Sequence, residues 1–389
     1  MHICLIGPSY PFRGGLAHHT TLLYLHLKKT HRVTFYAFKR QYPHWLFPGK
    51  TDRDPSGHPL RAIGVENILD SINPLTWWDV CRRIKEEKPD LVIIPWWTSF
   101  WALQFWTIVT LLKRFSSARI LFVCHNVLDH ESHAFSRLFA RAVLSNGDHF
   151  FVHSESDARH LREILPSVQV THAFHPLYDV FSDGAPSRAE AKTRLGLNGE
   201  TILCFGFVRR YKGLDNLVDA MPLILQRRKI TLLVVGEFWE PKQNFTRRLK
   251  DLAIEDAVTV VDRYVPNEEV GLYFSAADLV VLPYVSGTGS GVLQLAYGLE
   301  RPVVATRVGS LPQTVEDGRT GYLVDPGDPT ALADAIVRFF EEGKGTEFAD
   351  NIRRIKGNFS WERIVALIEE TVSKEGPFTR RETSPCTPL

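Results

Sequence analysis

The chain has 389 residues, of which 44% are hydrophobic and 23% charged, and its 46 basic and 44 acidic side chains leave a net charge of +2. This length exceeds one ordinary core and predicts two domains, while the composition excludes a disordered or fibrous chain and the near-neutral balance argues against nucleic acid as a partner. Cys4, Cys81, Cys124, Cys204 and Cys386 have neither disulfide-like nor metal-like spacing, so buried, reduced thiols in a cytoplasmic protein are expected.

Residues 2–6 read as an apolar strand too short for a secretory core, followed by a turn-rich loop containing Gly14 and Gly15. Helical spacing over 16–29 then makes a strand, Gly-Gly turn and helix start, which is a geometry suited to an anion. After a strand at 33–38, the aperiodic stretch 41–59 reads as an excursion on the substrate side. A helix closes at 81–88. The uncharged run 91–112 is long enough for a membrane span, but Pro95 and its polar residues favour a strand leading into a buried or surface-lying helix. A strand at 120–124 puts His125 at a strand's carboxyl end, where open α/β sheets bind ligands. A strand at 150–153, a helix at 157–164 capped by Ser154 or Ser156, and a short strand at 168–172 complete the first half. Residues 176–187 read as a linker.

In the second half, a strand from 202 reaches Gly206, and a basic turn leads through Gly213 into a helix that Pro222 is expected to kink or interrupt. Short β-branched runs at 231–235, 258–261, 279–282, 303–306 and 322–324 predict a second parallel sheet covered on both faces. Between the third and fourth of these, the turn 286–291 carries three glycines and opens a helix near Gly291, a second anion-binding geometry. Helices follow at 328–340 and 360–373, and the polar tail 376–389 has no packing pattern.

The combination of Gly14-Gly15, Phe205-Gly206, Lys212-Gly213, the phrase RPVVAT from Arg301 and the long phrase from Gly309 to Ile336 resembles family 4 (group 1) of the retaining nucleotide-sugar glycosyltransferases. The resemblance implies the fold called GT-B: two Rossmann-like, doubly wound α/β domains with an interdomain cleft. The expected boundaries are 1–180 for an acceptor-side domain, 181–358 for a donor domain, 359–375 for a helix crossing back to the first domain, and 376–389 for a flexible tail. It implies a hexose moved from a UDP- or GDP-linked sugar to a hydroxyl of a glycan or lipid-linked acceptor in polysaccharide or envelope assembly, with neither cofactor nor metal.

By the same resemblance, Gly14, Gly15 and Gly206 lie at the donor, His125 at the reacting sugar and Lys212 at the diphosphate. The helix start Ser290, Gly291 and Val292 also falls to the donor. This chain departs from the family at three places. Gly287 and Leu295 stand where two glutamates are usual, and Phe207 stands where an arginine is usual, leaving Arg209 to reach the diphosphate and Gln294 to bond a ribose hydroxyl. A front-face reaction needs no enzyme nucleophile, because the leaving phosphate can accept the acceptor's proton. The catalytic set is therefore His125, Arg209 and Lys212.

On the acceptor side stand His19, Trp96, Trp97, Asp129 and Glu131, the two carboxylates serving either as acceptor ligands or as caps. His18 and His19 are adjacent, hence on different helix faces, and no histidine spacing suggests a metal triplet. Seven of the nine tryptophans precede Pro166, which reads either as a Trp-rich core or as a peripheral contact with the inner face of the cell membrane. A catalytically silent sugar-nucleotide-binding partner, and a GT-B epimerase or hydrolase, are the competing functions.

Overall fold

A computed structural model describes residues 1–43, 45, 47, 49–128 and 134–373. The chain divides into two compact units. The first comprises Met1–Asp54, Leu60–Phe174 and the described residues from Trp361 onward; the second comprises Pro55–Pro59 and His175–Ser360.

In the first unit the strands are β1 (His2–Gly7), β2 (Arg32–Arg40), β3 (Val65–Asp70), β4 (Leu91–Trp96), β5 (Arg119–Cys124), β6 (His149–Val152) and β7 (Val170–His172). They form one parallel sheet in the order β3-β2-β1-β4-β5-β6-β7. Helices α1 (Gly15–Leu27), α2 (Pro74–Glu87), α3 (Ala102–Phe115), α4 (Ala134–Leu144) and α5 (Glu155–Ile164) belong to the same unit. Parallel strands covered on both faces need apolar side chains at successive positions. β1 and β4 meet that demand, since 3–7 and 91–96 are buried throughout.

The second unit repeats the plan with β8 (Glu200–Phe205), β9 (Ile230–Val235), β10 (Val258–Val261), β11 (Leu279–Leu282), β12 (Val303–Thr306) and β13 (Gly321–Val324). Their order is β10-β9-β8-β11-β12-β13, again all parallel. Its helices are α6 (Arg188–Leu195), α7 (Leu214–Leu225), α8 (Lys242–Asp251), α9 (Asn267–Ala276), α10 (Gly291–Gly298), α11 (Leu311–Thr314), α12 (Pro329–Glu341) and α13 (Gly345–Ile355). Both units are therefore Rossmann-like.

In each sheet the strand order reverses at one place, between β1 and β4 or between β8 and β11, and there the strands part early. β1 meets β2 along its whole length but meets β4 only over residues 3–5. Pro95 lies beyond that pairing, so its missing N–H costs no ladder bond with β1. Likewise β8 pairs with β9 throughout but with β11 only at residues 202 and 203. Such switch points are where open α/β sheets admit ligands.

The last helix, α14 (Trp361–Ser373), packs on α1 within the first unit. Glu362 accepts from Lys29 at 3.1 Å and pairs with His26 at 3.0 Å, Glu369 pairs with His31 at 2.8 Å, and Arg119 donates to the Val372 carbonyl at 2.7 Å.

Four expectations need adjustment or placement. β3, VENILD, escapes sequence reading because it is an edge strand with polar residues inside it. Pro222 does not interrupt α7, which continues to Leu225, so the helix absorbs the loss of the one ladder bond that the proline cannot donate. The run 91–112 is β4 followed by most of α3, and among the described residues no helix is long and apolar enough to cross a membrane. Residues 376–389 lie outside the described residues.

Gly213 joins the basic turn to α7 with φ of 67°, and a Cβ there would fall 1.9 Å from the Pro283 carbonyl oxygen. Gly213→Ala is expected to lower stability by roughly 1–3 kcal/mol, read from urea unfolding midpoints.

Candidate functional site

At the second unit's switch point β8 ends and Gly206 follows with φ of 97°, its N–H donating to the Val235 carbonyl at 2.9 Å. A Cβ on Gly206 would lie 2.7 Å from Lys212 Nζ and 3.3 Å from Val292 Cγ2. The ammonium therefore rests on the bare face of this glycine, close to the first turn of α10. Ser290 caps that helix, its Oγ accepting from the Leu293 N–H at 3.2 Å and lying 2.9 Å from the Tyr284 hydroxyl. The Tyr284 ring is in turn 5.9 Å from Lys212 Nζ. Lys212, Gly206, Ser290, Gly291 and Val292 are thus brought together by the turns that follow β8 and β11.

Lys212 is half-buried by area but its ammonium sits in dense surroundings. Burial, opposed by Cys204 and reinforced by Arg209, brings it down to about 8. Among the described residues no carboxylate pairs with this desolvated cation.

Arg209 lies beside the cradle rather than inside it. Its guanidinium carbon stands 5.4 Å from the Tyr211 ring and 5.3 Å from the Trp239 ring. Phe207, at the place of the family's usual arginine, packs on Trp239 at 4.6 Å and Tyr264 at 5.9 Å. Buried Glu237 accepts from Trp239 Nε1 at 3.2 Å. Sequence reading overlooked this aromatic strip with its carboxylate; the signal was GEFW directly after β9, at the same sheet edge as Gly206. Gln294 is 2% exposed, its carbonyl facing the Tyr178 N–H at 3.5 Å, and its Oε1 has no hydrogen-bond partner among the described residues.

In the first unit, Gly14 precedes α1 with φ of 103°, and its carbonyl accepts from the His18 N–H at 3.2 Å. Nothing crowds the missing Cβ, so the backbone conformation and not space calls for glycine. Burial, opposed by Asp54, lowers His18 to about 4.

His125 follows β5, its N–H bonded to the Trp96 carbonyl at 2.8 Å. The loop after it is anchored by Asp157, whose carboxylate accepts from the Val127 N–H at 2.9 Å and from Ser154 Oγ at 2.7 Å. Burial pushes Asp157 up in spite of these bonds. The His125 ring meets His19 edge-on at 4.6 Å and lies 5.1 Å from His153, while Trp361 covers His19 at 5.1 Å. His19, His125 and His153 offer ring nitrogens all within 4.8 Å of one another. Their positions in the chain, 19, 125 and 153, gave no sign of this; the fold assembles the triplet that spacing did not show.

On the acceptor side, Trp96 is 1% exposed and donates its indole N–H to the Val127 carbonyl at 3.1 Å, which makes it core. Trp97 is half-buried against Trp101 and Phe105. Asp129 and Glu131 lie outside the described residues.

The family description "Glycosyl transferase 4-like domain" matches residues 14–175, and "Glycosyl transferases group 1" matches residues 199–342. The chain belongs to this glycosyltransferase family. A D-inositol 3-phosphate glycosyltransferase from Corynebacterium kroppenstedtii is 28% identical over 60% of this chain and 53% of its own, so the chain spans about half the length of that relative. A GDP-mannose-dependent alpha-(1-6)-phosphatidylinositol monomannoside mannosyltransferase from Mycolicibacterium smegmatis is 27% identical over 84% of this chain and 85% of its own. Anabaena HepE, solved in complex with UDP-glucose, aligns with a TM-score of 0.74 at 18% identity over 96% of this chain and 99% of its own, a likeness of fold. Two Rossmann-like parallel sheets are what the family's GT-B architecture requires.

The depressed value of Lys212 sets a sign. Between about 8 and the ordinary 10.5 the unfolded chain holds a proton that the folded chain has released, so this group makes stability rise with pH across that window. Unfolding curves of the wild-type chain and of Lys212→Met across the window are expected to differ by this slope, with the variant gaining less on going to higher pH.

Proposed function

We propose that this family member is a retaining hexosyltransferase that moves a sugar from a UDP- or GDP-linked donor to a hydroxyl of a glycan or lipid-linked sugar, in polysaccharide or envelope assembly. The observation that carries the reading is the Lys212 ammonium resting on Gly206 beside the Ser290-capped start of α10. A departing diphosphate gains negative charge in the transition state, and donors already aimed at it interact more strongly as that charge develops. Lys212 supplies a point charge and α10 its first-turn amides, while Arg209 supplies a fork from the neighbouring turn.

The first unit contributes Gly14 and Gly15 to the donor phosphates and His125 to the orientation of the sugar. The leaving phosphate takes the acceptor's proton, so no carboxylate nucleophile is required. The relatives named for inositol phosphate and phosphatidylinositol mannoside chemistry support a polar or lipid-linked hydroxyl acceptor.

A second reading, a silent sugar-nucleotide-binding partner, is favoured by Gly287, Leu295 and Phe207 at positions where the family usually carries charge. A donor screen that reports nucleotide release and transferred product separates the two. Transfer that falls roughly 100-fold in Lys212→Met supports the enzyme; nucleotide binding without turnover supports the silent partner, and free hexose points to hydrolysis.

We also assign the first unit's helical layer to a membrane surface on the cytoplasmic side. α2 packs on α3 and α3 on α4, and these helices expose Leu75 and Trp78, Leu103 and Trp106, and Leu138 and Phe139. Leu103 is 67% exposed, and Lys85 and Arg114 flank Phe115 at 5.3 and 5.9 Å. Apolar side chains rimmed by cations suit an anionic bilayer interface. Leu103→Ser combined with Trp106→Ser is expected to weaken co-sedimentation with anionic vesicles severalfold, leaving transfer to a water-soluble acceptor unchanged.

A further inference from the structure

The second unit's switch point gathers a cation, whereas in the first unit three imidazoles meet at the carboxyl ends of β5 and β6, on the β4 side of the strand-order reversal. β5 and β6 are adjacent and in register, Cys124 facing Val152, so the next residue of each strand is a histidine and the two stand side by side. α1 brings His19 over them from its first turns. The three ring centroids are 4.6, 5.1 and 6.1 Å apart.

We propose that His19, His125 and His153 form a binding site for a divalent transition metal of the zinc class. The ligating nitrogens already lie within 4.8 Å of one another. A tetrahedral zinc with bonds of about 2.0–2.1 Å holds its nitrogens about 3.3 Å apart, so the rings close by roughly 1.5 Å or less around the ion. The tautomer is set for it. A carbonyl can only accept, so His153 donates from Nδ1 to the Ala173 oxygen at 2.9 Å and carries its lone pair on Nε2. A backbone carbonyl on the far ring nitrogen is the usual support of a metal-bound histidine. His19 and His153 are 3% and 5% exposed and His125 is half-buried, so ligands enter from the His125 side. Three neutral ligands leave the ion its full double charge and an open fourth position, which water or an anionic oxygen fills.

This inference goes beyond sugar transfer, although it shares His125 with the proposed sugar contact. The untagged full chain, freed of metal by a chelator, is titrated with zinc chloride by calorimetry, and metal per chain is counted after dialysis. One zinc per chain is expected, with affinity reduced at least tenfold in both His153→Ala and His19→Ala and unchanged in His58→Ala. No zinc bound, or equal binding in the wild type and both cluster variants, overturns the site. Cobalt provides a readout on the wild-type fold should a variant fail to fold. An intense visible band of tetrahedral cobalt supports the triplet, and the weak spectrum of the hydrated ion overturns it. UDP binding to the metal-free protein is measured separately, so failure of the metal site and failure of the donor reading are distinguishable.

Discussion

A lysine ammonium enclosed in dense surroundings, resting on a glycine that has no side chain to displace it, is the interaction around which the turns of the second unit's switch point are built. Enclosure costs the ammonium hydration, which is why its proton is held less tightly than that of an ordinary lysine. The fold bears that cost because Gly206 and Gly213, on either side of the basic turn, supply positive φ, and a Cβ would displace Lys212 Nζ at the first and strike the Pro283 carbonyl at the second. In the proposed function, a diphosphate set against Lys212 returns the lost solvation, and the cost of building the site becomes preference for that ligand.

The two units apply one geometrical device to different chemistry. Each parallel sheet parts where its strand order reverses, and each gap is flanked by glycine turns and helix starts. In the second unit the loops after β8 and β11 place Lys212 and Ser290 there. In the first, the neighbouring ends of β5 and β6, beyond β4, carry His125 and His153, with Asp157 and Ser154 holding Val127 just after His125. That anchoring has its own cost, a buried carboxylate pushed up in spite of two donated hydrogen bonds. It fixes Val127, two residues beyond His125.

The aromatic residues divide by burial into two roles. Trp77, Trp96 and Trp101 are core, whereas Trp78 and Trp106 stand on the open side of the helical layer. A count of tryptophans therefore joined two populations that the structure separates. The same holds for α14: its acidic residues pair with the basic end of α1, and its Trp361 closes over His19. A terminal helix thereby becomes part of the wall around the first unit's histidines.

Much of the architecture was legible in local patterns. Short apolar runs at 2–6, 91–94, 120–124, 231–235, 279–282 and 303–306 all lie within strands of the two sheets, because parallel strands buried on both faces leave a signal that needs no neighbours to interpret. The glycine turns before α1, α7 and α10 were equally plain, since positive φ restricts residue type locally. β3 was not legible, being a polar edge strand whose pairing comes from β2. Nor were the Phe207, Trp239 and Tyr264 strip and the triplet of His19, His125 and His153, whose members come from separate elements. The sequence by itself determined which residues lie at strand ends, because backbone conformation and burial act over a few positions; which of those ends meet was decided only by sheet order and register, which act across the whole chain.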